Sequence, residues 1–175
     1  REPYEDIPYF YKTSMISYDY EPIYALGAML GGSDIPSILK LIEQVEVLGL
    51  DVISTGVILA WATEAFERGS ISEKDTYGIK LEWGNYLNYV EAVRLMVEQP
   101  NEYYKALARG VQFAASKYGG QDFALSFGGN EMPGYHTGPA TYISYLVGAR
   151  HSHLDSAGYG LDQKMLTSQK KPTPE

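Results

Sequence analysis

The stretch "DVISTGVILAWATEAFERG", from Asp51 to Gly69, constrains the fold more than any other part of this chain. Its apolar residues run almost all the way round a helical circumference, interrupted only near Thr63, Glu64 and the charged end. A helix with that pattern is stable only when other elements cover it on nearly every side. The flanks agree: Asp51 can cap its start, while Arg68 and Gly69 give a cationic last turn and a stop. At 175 residues the chain is long enough to wrap such a helix in one domain.

The surrounding sequence supplies the wrapping helices. Pro22 suits a first helical turn, and "IYALGAML" continues it to Gly31-Gly32. Ser33 or Asp34 can cap a second helix, whose Ile38, Leu41, Ile42, Val45 and Leu48 recur at helical spacing until Gly49. "EWGNYLNYVEAVRLMVEQP" predicts another helix ended by Pro100, and "NEYYKALARGVQFAASKYGG" a fifth, with Tyr103, Leu107, Gly110, Val111 and Ala114 on one stripe. Residues 121–138, rich in glycine and proline, predict a long loop with one short strand at "FALSF". A last helix, "PATYISYLVGAR", leads into "HSHLDSAGYG". The expectation is one all-α, irregular multi-helix domain over residues 1–175 with a long glycine-rich loop, residues 1–15 irregular and 162–175 a tail.

Composition narrows the function. A net charge of −8 opposes binding to nucleic acid and to anionic membranes. The longest apolar run, Val45 to Ala62, is broken by Glu46 and Asp51, so no bilayer span is expected. "REPYEDIPYFYK" lacks the apolar centre of a secretory signal, which points to a cytoplasmic location. The absence of cysteine removes thiolate ligands and nucleophiles from this chain. A start without methionine and an end in "QKKPTPE" suggest a piece of something larger. Phosphate-loop, dinucleotide, zinc-protease and serine-hydrolase motifs are all missing.

Three constellations remain, each with a bland and a functional reading. His151 and His153 stand one residue apart before Asp155; they can cap the last helix, or one can act as a catalytic histidine oriented by its neighbour. Zinc would need more ligands, and the only other histidine is His136. In "EVLGLDVISTG", Asp51 is either a helix cap or a carboxylate facing a polar cofactor, with Glu46 as a second acid. Glu21 precedes Pro22 among Tyr18, Tyr20 and Tyr24. It either compensates a helix dipole or exchanges protons in apolar surroundings.

Taken together, "YDYEPIYALG", "LGLDVISTGVILAWATEAFERG", "LEWGN" and "RHSHLDSAGY" resemble the tungsten-dependent aldehyde:ferredoxin oxidoreductases over roughly residues 16–160, most closely the formaldehyde and broad-range aldehyde members. The resemblance implies the middle helical domain of a three-domain enzyme that oxidises aldehydes to carboxylic acids. The cofactors would be a tungsten bis-pterin and a 4Fe–4S cluster whose cysteine ligands lie outside this chain. Ferredoxin would accept the electrons, and the remaining domains of the parent chain, an electron-transfer subunit or a homo-oligomeric copy would be further partners. In the implied site Glu21 and His153 are catalytic. Gly49, Leu50 and Asp51, matching the end of an Asp-x-x-Gly-Leu-Asp/Cys pattern in which Glu46 replaces the first aspartate, bind cofactor with Glu46, Arg150 and Asp155; Tyr20, Tyr24 and His151 line the substrate pocket. No metal ligand is expected here. The alternatives are a tungsten-dependent aromatic acyl-CoA reductase of the same family and a non-catalytic helical interface module.

Overall fold

A computed structural model describes residues 16–135, 138–152, 154 and 158–168. Among them are eight α-helices, two short 3₁₀ turns and one two-stranded hairpin. The all-α expectation holds.

The apolar stretch forms α3, Val52–Glu67, at the centre of the fold. Ten of its residues, from Thr55 to Ala65, are buried. Asp51 caps it by accepting a hydrogen bond from the Ser54 backbone N–H at 2.7 Å. Trp61, the largest buried side chain, donates from its indole N–H to the Gly120 carbonyl at 3.2 Å. Its polar atom is therefore satisfied while the ring fills the core.

Helix α1, Tyr20–Leu26, and α2, Ile35–Val47, pack on α3 and on each other. The approach of α1 to α3 is close at Gly56, where an added Cβ would collide with the Ala25 backbone. Gly27 ends α1, and a 3₁₀ turn at Ala28–Leu30 carries the chain to Gly31 and then to α2. Asp34 is the cap of α2, accepting from the Ser37 N–H at 2.9 Å, and Leu41, Ile42 and Val45 are its buried face. After Leu48 the backbone turns at Gly49 with φ +71°, a region in which glycine alone is unstrained. Two residues later Asp51 caps α3.

Helix α4, Tyr86–Glu98, lies against α2 and against α5, Glu102–Leu107. The single helix expected over residues 101–120 is two: Gly110 adopts φ +93°, and α6, Val111–Tyr118, starts in a new direction. A 3₁₀ turn at Gln121–Phe123 leads into β1, Ser126–Phe127, which pairs antiparallel with β2, Asn130–Glu131. The expected strand is thus half of a hairpin. Gly128 and Gly129 both have positive φ, +59° and +89°, as a two-residue turn matching the strand twist requires.

Helices α7, Pro139–Val147, and α8, Gly158–Ser168, pack on one another. Helix α8 occupies part of the segment expected as a tail. Its Asp162, only 3% exposed, accepts from the Ala140 and Thr141 N–H groups at 3.1 and 2.8 Å and from the Thr141 hydroxyl at 2.7 Å. A carboxylate buried on one helix therefore satisfies the orphan N–H groups at the start of the other. Among the described residues no single helix is long and apolar enough to cross a membrane.

Candidate functional site

The hairpin is the joint between the helical body and the α7–α8 pair. On one side Glu131 accepts from the Val111 N–H at 2.9 Å through Oε1 and from the Ser54 hydroxyl at 3.0 Å through Oε2. It thereby ties β2 to the starts of both α6 and α3. Gly110 leaves just enough room, since a Cβ there would come within 2.9 Å of Oε1. On the other side the Asn130 amide donates to the Arg150 carbonyl at 2.7 Å. Phe127 meets the His151 ring edge-on at 5.0 Å, and Gly128 lies where a Cβ would strike that ring.

A cavity of about 550 Å³ opens between these parts, lined by Asp51, Ser54, Asn130, Glu131, Arg150 and His151 among others. That volume falls within the roughly 300–1,000 Å³ usual for small-molecule sites. Asp51 spends Oδ1 on the Ser54 N–H, and its Oδ2 has no hydrogen-bond partner among the described residues. Behind the same wall lies a second cavity of about 500 Å³, edged by Leu50, Asp51, Ile58, Met96 and Leu107.

Glu21 sits in the first turn of α1, half-buried in a nest of tyrosines. Asp19 caps this helix by accepting from the Glu21 N–H at 2.9 Å. The Tyr135 hydroxyl is hydrogen-bonded to the Glu21 side chain; burial, then that bond and the neighbouring charge, push the phenol up to about 12. Tyr135 therefore keeps its proton through the neutral range and donates a hydrogen bond to the Glu21 carboxylate. Tyr145 is also raised, by burial first and the charge of Glu21 second. Tyr20 stacks on Tyr24 at 5.8 Å and leans on Tyr135 at 5.4 Å, while Tyr135 leans on Tyr159 at 4.8 Å. The Tyr20 hydroxyl donates to the Gly134 carbonyl at 2.8 Å, and the ring of Tyr24 lies flush against Gly134.

The residues singled out in the sequence thus fall into two groups. Asp51, Arg150 and His151 line one cavity. Glu21, Tyr20 and Tyr24 share the tyrosine nest, joined to that cavity through Pro133, which lines it, and the adjoining Gly134 and Tyr135. Leu50 faces the second cavity with Asp51; Glu46, in the last turn of α2, and Gly49 line neither. His136, His153 and Asp155 lie outside the described residues. Sequence reasoning passed over Ser54, Asn130 and Glu131. Among the described residues no group of three or more His, Asp or Glu side chains is arranged to hold a metal ion.

The chain belongs to the aldehyde ferredoxin oxidoreductase family: residues 4–174 match the family's domains 2 and 3. It is similar to the tungsten-containing aldehyde ferredoxin oxidoreductases of Thermococcus kodakarensis, at 35% identity over 121 residues, and of Pyrococcus furiosus, at 33%. Each match covers 67% of this chain and 19% of the relative, so the chain spans about a fifth of the length of the proteins it resembles. An aliphatic sulfonate oxidoreductase, WOR-like subunit, from Pyrococcus furiosus is 37% identical over 99 residues, which is 57% of this chain and 16% of that protein.

Proposed function

We propose that this chain forms the helical, cofactor-facing part of a cytoplasmic enzyme that oxidises an aldehyde and water to a carboxylate, releasing two electrons and three protons. A tungsten bis-pterin would be the resident cofactor, and the electrons would pass through a 4Fe–4S cluster held elsewhere in the protein to ferredoxin. When bound, the tungsten group supplies the two-electron redox chemistry. The observation that carries the proposal is the open Oδ2 of Asp51 at a cavity of about 550 Å³ in a chain of this family. A pterin ring carries N–H donors along its pyrimidine edge, and a carboxylate fixed through one oxygen with the other open fits that donor set.

The remaining roles belong to this chain's side chains. Glu21 would take the proton from water or from the aldehyde hydrate, with Tyr135 holding one of its oxygens. Tyr20 and Tyr24 would wall the substrate side and exclude water. His153 would hydrogen-bond the aldehyde oxygen and stabilise charge developing there. Leu50 and Asp51 would fix the pterin from the α2–α3 bend, together with Arg150, which lines the first cavity with Asp51.

The test is Glu21→Gln in the full-length protein, assayed with aldehydes and a viologen acceptor. Turnover should fall by ~10²-fold or more while tungsten content stays normal. An unchanged rate removes Glu21 as the base, and a protein devoid of tungsten and pterin removes the whole reading.

A further inference from the structure

The imidazole of His151 is held more tightly than a surface residue needs. Its backbone stands in the left-handed region at φ +51°, uncommon for a residue with a side chain. Its Nδ1 lies 2.8 Å from the Tyr145 carbonyl. A carbonyl only accepts, so Nδ1 carries the proton, and in the neutral ring Nε2 is left with a bare lone pair. The Cγ–Cδ2 edge of the ring lies against Gly128, where any Cβ would collide with it, and Phe127 packs on the ring at 5.0 Å and a steep angle. Three separate devices therefore fix one orientation. Half-buried, the residue lines the cavity that Asp51 also lines, and Nε2 has no hydrogen-bond partner among the described residues.

We propose that His151 is a ligand-contacting residue of this cavity, its Nε2 accepting a hydrogen bond from an N–H group of the bound heterocycle. Asp51 Oδ2 and His151 Nε2 then form a pair of open acceptors, selecting a ring that presents donors over one that presents carbonyls. This rests on the pterin reading above and adds to it the face of the cavity that recognises the ring. It also separates the two histidines of the motif: His151 holds the cofactor, whatever His153 does for substrate.

The experiment uses full-length protein purified with its cofactor. The fluorescent pterin recovered after oxidative release is measured per mole of protein, and pterin loss is followed during dialysis in mild denaturant. His151→Ala should lose pterin about tenfold faster than wild type, the effect of one hydrogen bond. His151→Gln should hold it at close to the wild-type rate, because the Gln carbonyl can present an acceptor in the same place. Gly128→Ala, which keeps the histidine but displaces its ring, should behave like His151→Ala. If His151→Ala retains pterin as wild type does, or if Gln fails to restore retention to a folded variant, the proposal is overturned. Wild-type protein without any pterin overturns it together with the functional reading beneath it.

Discussion

Glu131 shows how much one side chain can join. Its two carboxylate oxygens accept from groups 20 and 77 residues away in sequence, at the starts of two helices. Removing it strands the Val111 N–H and frees the hairpin from both helices. Glu131→Ala should therefore cost about 1–3 kcal/mol, read as a lower unfolding midpoint of the full-length protein. Glu131→Gln should cost less, since the amide can accept from Val111 with its oxygen and donate to Ser54 with its nitrogen. The long separations also explain why this residue escaped sequence reasoning. Asp51 was legible because a cap leaves its mark within three residues. Arg150 and His151 were legible because they stand beside a helix end and a glycine-rich exit. Nothing near Glu131 in the chain names its partners.

At the scale of elements, α3 was the most legible feature, because an apolar circumference admits only a central place. The caps of α2 and α3 followed from Asp34 and Asp51. The break between α5 and α6 did not, since the stripe from Tyr103 to Ala114 continues across Gly110 at helical spacing. What decides the break is tertiary: Glu131 occupies the start of α6 in place of another helical turn. The contact between α1 and α3 makes a sharper prediction. Gly56 meets the Ala25 backbone with no room for a methyl group. Gly56→Ala should thus destabilise by about 1–3 kcal/mol by forcing α1 outward, despite alanine's better helix propensity. A gain in thermal stability would mean that α1 moves without cost.

Across the whole molecule, the helical body and the α7–α8 pair are joined through the hairpin and the tyrosine nest, and the cavity lies along that seam. The pair has its own internal fastening in Asp162. Asp162→Ala should remove the carboxylate that accepts from the Ala140 and Thr141 N–H groups and speed hydrogen exchange in α7 and α8, with α3 and α4 unaffected. Because Arg150 and His151 follow α7, the pterin retention proposed for this cavity should fall with it in the full-length protein. Exchange that rises evenly through every helix would show instead that the two parts unfold as one. This division was hidden in the sequence, where the pattern showed where helices run but not which of them share a contact. The same holds for α8, whose weakly amphipathic composition gives little sign of a buried aspartate.

The glycine pair at 128–129 carries one further consequence. Asn130 and Glu131 are consecutive strand residues, so their side chains leave the backbone on opposite sides, one reaching the 149–152 segment and the other the α3 and α6 starts. A single residue inserted between Phe127 and Asn130 would slip the pairing by one and exchange those two directions. The amide would then face two donors and the acid a carbonyl. For these five positions, then, length is as strictly specified as identity, even though they belong to the loop-rich stretch where tolerance to insertion would ordinarily be greatest.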